Sequence, residues 1–322
     1  MTVTSPTSAD TERRPPRPAD RGGFEIAVLC SLTVELEAVE TLFDHHWGED
    51  GFSYGKAAGD PNLYICGVIG RHNVVLAFVG SMGVTSTAAA TAGFRTTFPN
   101  IKLALIVGLC GAVPFYPAEF GERAEIVLGD VIVSDNIVQC DFGRHLPEQF
   151  VRVPNKPDLK VRALLKKLVG YVDVLGRDKS LAAAYPGTAQ DMLFEATYGH
   201  LEPRMSCEEC GCNGELVLRA RFEAGREGAQ PAVHSGLIAS SDRVWKSGKD
   251  RDDLARKAGV IGFEMQGIGD WDAIPCVVIK GVCDYADGHR NKVWQGYAAA
   301  AAAACMKEFL HHWRPSSSTA SS

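Results

Sequence analysis

The chain is most informative first for what it lacks. No run of about 18 uninterrupted apolar residues occurs in its 322 positions, which excludes a bilayer-spanning helix. The basic residues near the N-terminus have no apolar stretch behind them, so a secretory signal is not expected. Positive charge is not in excess: 33 Lys and Arg face 39 Asp and Glu, a formal net charge of −6. That balance argues against a polyanion such as nucleic acid as partner, because phosphate-backbone binding needs clustered cations. Neither a G-x-G-x-x-G nor a Gly-Lys-Ser/Thr phosphate loop is present, so dinucleotide and P-loop binding do not follow. Internal repeats of fixed period are missing too.

What remains is ordinary soluble composition, 46% hydrophobic and 22% charged, with enough length for a sizeable core. Ten cysteines without a leader point to a reducing, cytoplasmic setting with mostly free thiols. Residues 1–23, rich in Pro, Ser, Thr and Arg, read as a disordered tail, as do residues 313–322. Between them, 24–312 reads as one domain in which apolar runs alternate with helical patterns. Phe24–Cys30 is a short β-rich run, followed by a helical pattern over Thr33–Trp47 with Thr33 as its N-cap. Leu63–Ile69 and Val74–Val79 flank a turn, and Val84–Phe98 is helical up to Pro99. Leu103–Val107, Asp130–Val133, Ser235–Ser240, Val260–Phe263 and Val277–Val282 are buried strands. Lys292–His312 is a final helix whose alanine run suits close packing. Such alternation predicts an α/β sheet covered on both faces. Residues 144–231 break the rhythm and read as an insertion.

In sheets of this kind ligands sit where strands end, so the segments after strands are the places to search. Glu35 follows the first strand, in the first turn of its helix. Gly108-Leu109-Cys110-Gly111 reads as a small-residue turn after a strand, letting backbone approach a ligand or another segment closely. Glu264-Met265-Gln266 offers polar side chains suited to sugar hydroxyls. Asp284 ends a strongly apolar run, where a carboxyl half out of water suits proton donation. Val244 and Trp245 follow another strand, and an aromatic ring there either stacks on a flat base or fills core. Each pattern alone also fits a helix cap, a packing turn or a core residue.

Taken in order, these segments resemble the nucleoside phosphorylase/nucleosidase superfamily, and in particular fungal nucleosidase-type domains. The likeness runs from about Phe24 to Leu310. It is strongest in Ile261–Gly267 and Lys280–Asp287, with Leu128–Asp135 upstream. It implies a three-layer α/β/α sandwich around a mixed, partly barrel-like sheet, assembled as a homo-dimer or higher homo-oligomer. It also implies a purine nucleoside as ligand, cleaved at its N-glycosidic bond without a cofactor. In this likeness Asp284 matches the acid that protonates the purine N7, and Glu35 the residue that activates water. Met265 lies under the ribose, Gln266 replaces a Glu that binds its hydroxyls, and Val244 and Trp245 meet the base. The insertion would line the 5′ side of the sugar, near Phe194 or Tyr198.

Two departures from the family pattern bear on the reaction. Phosphorylases anchor phosphate with an Arg and a Ser or Thr where this chain has Ile106 and Leu109. Hydrolysis is therefore expected over phosphorolysis, since a phosphate dianion needs charge-assisted donors. The alternatives are a phosphorylase using other cations, such as Arg71 or Arg243, and a non-catalytic nucleoside-sensing module. Gln in place of Glu at 266 removes a charge, which activity tolerates, Glu264 compensates, or an engineered change explains.

Cys207, Cys210 and Cys212 form C-x-x-C-x-C, with His200 upstream and His234 downstream. Three thiolates and an imidazole complete a zinc tetrahedron, and free or oxidisable thiols in an exposed insertion are the other reading.

Overall fold

The computed structural model describes residues 14–80, 84–117, 123–134, 137–140, 151–152, 183–200, 202, 205–223, 231–241, 244–265, 275–290 and 292–314. Gln266, Arg243, the amphipathic stretch at 159–168, residues 1–13 and residues 315–322 lie outside them.

A run of alternating short β-rich segments and helices folds into a sheet of twelve strands. Strands β1 (Ile26–Cys30), β2 (His45–His46), β3 (Leu63–Ile69), β4 (His72–Phe78) and β5 (Leu103–Ala112) form one half. Strands β6 (Phe115–Pro117) and β7 (Arg123–Glu125) make a separate hairpin. The other half holds β8 (Val131–Ser134), β9 (Ile137–Gln139), β10 (Val151–Arg152), β11 (Val233–Ser235), β12 (Leu237–Ser240), β13 (Val260–Glu264) and β14 (Cys276–Asp284). The main path runs β10-β9-β12-β13-β5-β1-β4-β3-β2.

Strand β5 is where the sheet forks. Its first residues pair in parallel with β1, Ile26 with Leu103 through Leu29 with Ile106. Its other edge pairs in parallel with β14 from Ala104 to Gly111. Beyond the end of β1, Gly111 and Ala112 pair antiparallel with β13. The sheet is thus mixed, and β14 turns back onto β8 to close part of a barrel. All ten residues of β5 are buried, as its near-continuous apolar sequence requires of a strand covered on both faces.

Helices α1 (Thr33–Glu40), α2 (Val84–Thr97), α3 (Gly248–Ala258) and α4 (Gln295–His312) cover the sheet. Alternate β1 residues Ile26, Val28 and Cys30 join a core containing Val39 and the α4 residues Ala301 to Leu310. Their neighbours Ala27 and Leu29 join a second core with Ala90 and Phe94 of α2 and Phe98 just after it. That period-two division places helices on opposite faces, the sandwich expected. The alanine run of α4 is buried and lets the helix close on β14. A methyl added to Gly281 would lie 1.9 Å from the carbonyl oxygen of Ala298.

Three expectations need correction. Gly108–Gly111 is no turn: β5 continues through it to Ala112. Helix α1 ends at Glu40 rather than Trp47, and Thr33 is its first residue, with Leu32 in the capping position. Pairing of His45 with Val68 and burial of Trp47 outweigh the helical periodicity there. Residues 14–23, read as tail, pack on the body. The Arg14 guanidinium lies 4.5 Å over the Trp47 ring, and Tyr54 Oη donates to the Pro18 carbonyl at 3.0 Å. Trp313 likewise packs against the first core.

Candidate active site

Glu35, the third residue of α1, reaches back to the loop after β1 and across to β5. It is 2% exposed, and its carboxylate accepts three backbone N–H bonds: Ser31 at 2.9 Å and Leu32 at 3.0 Å on Oε2, Leu109 at 2.8 Å on Oε1. The bond from Leu32 is one half of a capping box, a third-position Glu reaching back to the capping residue's amide. The bond from Leu109 is the non-local one, crossing to β5. A methyl on Gly108 would meet Glu35 Oε1 at 2.2 Å, so glycine is what admits the carboxylate here.

Asp284 reaches the same strand from the opposite edge. Between Val282 and Asp284 the register against β5 shifts, leaving Cys283 as a bulge that sets Asp284 beside Gly111. A methyl on Gly111 would lie 2.6 Å from Asp284 Oδ1. The same oxygen accepts from the Ala286 amide at 2.8 Å. Ala286 adopts φ of 52°, the one left-handed non-glycine among the described residues, and such strain concentrates at functional sites. The glycines of Gly-Leu-Cys-Gly thus serve close approach, as the sequence implied, from within a strand.

Glu264 is the third carboxylate. As the last residue of β13, running antiparallel to β5 past Gly111, it is 3% exposed. Its Oε2 lies 3.8 Å from Nζ of Lys280, which is fully buried and in register with Gly108. The thiol of Cys110 senses the whole group. Burial pushes it well up, Lys280 draws it down, and Asp284, Glu264 and Glu35 push it further up. Three acids and one lysine therefore surround two turns of the pleat of β5.

Met265 follows in a half-buried bend. Trp245 is buried with its ring centroid 5.1 Å from that of Phe263, so the ring packs in the core behind β13. Val244 beside it is half-buried. The Trp245 carbonyl accepts from Arg290 at 3.2 Å, and Arg290 Nε lies 3.8 Å from Asp284 Oδ2. The geometry thus sets Glu35, Asp284 and Glu264 about β5, with Met265 directly after Glu264 and the Trp245 carbonyl linked to Asp284 through Arg290. Gln266 belongs to the residues not described.

Sequence reasoning passed over Lys280, Arg290 and the network behind Asp284. Tyr285 Oη donates to Asp191 at 2.6 Å and accepts from Arg219 at 2.5 Å, while Arg219 also pairs with Glu125 at 2.7 Å. Arg251, 1% exposed, donates to the Tyr285 carbonyl at 2.8 Å. Asp191 and Arg219 belong to the insertion, so this segment buttresses the loop that carries Asp284. The signal available was a Lys at 280 inside an apolar strand and an Arg at 290 shortly after it.

The phosphate-anchor positions hold Ile106 and Leu109, both buried among apolar residues. Arg71 precedes β4, whose parallel partner β1 ends at the site, so Arg71 stands at the far end of the sheet. It does not meet these residues. Cys207, Cys210, Cys212 and His200 do come together, in the insertion.

No family model matches the chain. It is 30% identical over 306 residues, 89% of its own length, to a nucleotide-binding leucine-rich repeat (NLR)-like protein of Hyaloscypha variabilis, and spans 29% of that protein. It is 23% identical over 254 residues to the 5′-methylthioadenosine/S-adenosylhomocysteine nucleosidase of Mycobacterium bovis, covering 77% of this chain and 84% of that one. Among solved structures it superposes on Helicobacter pylori futalosine hydrolase with a TM-score of 0.56 at 15% identity, covering 90% and 99% of the two chains. The H. pylori 5′-methylthioadenosine/S-adenosylhomocysteine nucleosidase superposes with a TM-score of 0.56 at 16% identity, covering 91% and 100%.

Proposed function

With the fold of the nucleoside phosphorylase/nucleosidase superfamily as premise, we propose that the chain is a purine nucleosidase, cleaving a purine ribonucleoside with water to free base and ribose. The observation that carries this reading is that Glu35 and Asp284, from the two edges of β5, fill the space beside its Gly108 and Gly111 and both act on the thiol of Cys110 between them.

Asp284 gives its proton to N7 of the base as the C1′–N9 bond breaks, so the bonding pair leaves on a neutral base. Glu35 takes a proton from water, whose oxygen bonds to C1′. Positive charge grows on the sugar ring in between, and the buried Glu35 and Glu264 supply a fixed negative field for it. Met265 and Gln266 hold the ribose, and Val244 with the Trp245 main chain faces the base. Buried apolar residues at 106 and 109 favour water over phosphate as the nucleophile.

The test is to incubate the chain with adenosine, inosine, guanosine and 5′-methylthioadenosine, with and without phosphate, and to identify the sugar released. Free ribose, or its 5′-thio analogue, without phosphate supports hydrolysis. Strict phosphate dependence with a sugar 1-phosphate overturns it. Saturable binding without turnover would favour a nucleoside-sensing module, the reading that the match to part of an NLR-like protein suggests. Asp284→Asn is expected to lower kcat by about 10²- to 10⁴-fold, the usual worth of a proton donor.

A further inference from the structure

Outside the candidate active site the densest group of ligating side chains lies in the insertion. The segment Cys207–Cys210 forms a single helical turn, capped by Ser206, whose hydroxyl accepts from the Glu209 amide. Gly211 then takes φ of 66° and reverses the chain, and the Cys212 amide donates back to the Cys207 carbonyl at 2.9 Å. The reversal gathers three thiols on one side. Cys210 Sγ is 3.3 Å from Cys212 Sγ and 3.4 Å from His200 Nε2. Ligand atoms of His200, Cys207 and Cys212 all fall within 4.8 Å of one another. The other nitrogen of that imidazole, Nδ1, is buried without a hydrogen-bond partner, so no bond within the protein fixes the ring's tautomer.

We propose that Cys207, Cys210, Cys212 and His200 bind one structural zinc ion. Zinc–sulfur bonds of about 2.3 Å set ligand atoms about 3.8 Å apart in a tetrahedron, the scale of the separations seen here. Three thiolates and an imidazole are a donor set for a borderline-soft divalent cation, and a hard ion such as magnesium would seek oxygen. Binding displaces three thiol protons to solvent and changes no oxidation state. With four protein ligands the sphere is closed, so the ion fastens structure and performs no chemistry.

What it fastens is specific. A methyl on Gly288 would lie 2.8 Å from His200 Cβ, so His200 sits directly against the loop that follows Asp284. The next residue, His289, stacks on Tyr198 with ring centroids 5.3 Å apart and planes 12° from parallel. The ion would hold the insertion against the Asp284–Arg290 loop. The site stands whether or not the nucleosidase reading does, and its test reads metal rather than turnover.

The experiment uses the full chain, purified under reducing conditions without chelator and without a polyhistidine tag. Elemental analysis is expected to find about one zinc per chain. Cobalt exchanged into the same protein is expected to give thiolate-to-cobalt absorption with the d–d bands of a tetrahedral centre. Cys207→Ser and Cys212→Ser are each expected to lose the metal, while Cys66→Ser, on β3, keeps it. Should the serine variants misfold, stripping wild-type protein with a chelator supplies the same answer: Tm falls and added zinc restores it. Less than a tenth of a zinc per chain that cobalt does not fill, or a disulfide among the three cysteines in the reduced preparation, would overturn the proposal.

Discussion

At the scale of single residues, the candidate site depends on atoms that are missing. Gly108 and Gly111 have no side chain, and the space a methyl would fill is taken by Glu35 and Asp284. A Gly108→Ala substitution puts its methyl 2.2 Å from Glu35 Oε1, so the carboxylate must shift and its bond from the Leu109 amide is strained or lost. Turnover is expected to fall at least 100-fold, the order of losing a general base, with Tm lowered by only a few degrees. Steady-state kinetics and a thermal melt on one preparation would show this; unaltered kcat would mean that Glu35 does not act at that spot. The candidate acids were legible in the sequence, because an acid at the end of an apolar run is costly to bury without partners. What was illegible was which backbone amides hold them. Nothing near Glu35 in the chain announces Leu109, 74 residues away.

At the scale of elements, strand and helix packing turns on equally small side chains. The Gly281 position of β14 touches the backbone of α4 at Ala298, and backbone cannot rotate aside. Gly281→Ala is expected to cost about 3 kcal/mol or more, the upper range for overpacking, with loss of soluble protein at 37 °C. Equilibrium denaturation would measure it, and a cost below 1 kcal/mol would mean that α4 shifts freely. The alanine run of α4 was readable as a sign of close packing, and the boundaries of α2, β3 and α4 followed from local pattern. The extent of β5 did not. Glycine inside an apolar run is the ordinary mark of a strand's end, and only the two carboxylates filling the space explain why this strand continues. Helix α1 was overestimated for a related reason: its later residues are recruited by pairing across β3, which periodicity along one segment does not register.

At the scale of the whole molecule, buried acids hold the insertion and the barrel-like half together. Burial pushes Asp130 up, but the bond and charge of His234, then Arg221, outweigh it and hold the carboxyl below its usual 3.8. Asp287 is held low in the same way, burial opposed by His289 and Arg251. Asp191 goes the other way, raised by burial despite Arg219. At the opposite end, burial lowers the His72 imidazole, which bonds the Leu310 carbonyl at 2.9 Å. A lowered folded value means stability that is complete above the unfolded one and lost as pH falls through the folded one. Tm is therefore expected to be flat above pH 6.5 until the buried cysteines ionise in the unfolded chain near 9.0, to decline below 6.5 as His72 is forced to charge, and to drop again below 3.8 as Asp130 and Asp287 take protons. Asp191, raised in the fold, adds stability as pH falls through its folded value towards 3.8, ahead of the second step. Melting curves across pH for wild type and His72→Gln would separate the two declines, since the variant should lose only the first. The sandwich was foreseeable from the alternation of strands and helices. The bonds between insertion and core were not, because each joins residues some 60 to 100 positions apart.

The three amides that grip Glu35 come from two places, the loop after β1 and the backbone of β5. The carboxylate is consequently a rivet through two neighbouring parallel strands. The wall of the site that carries it cannot swing without parting the centre of the sheet, the last region of a fold to open. The opposite wall is tied differently, through side chains: Tyr285 Oη bonds Asp191 and Arg219 of the insertion.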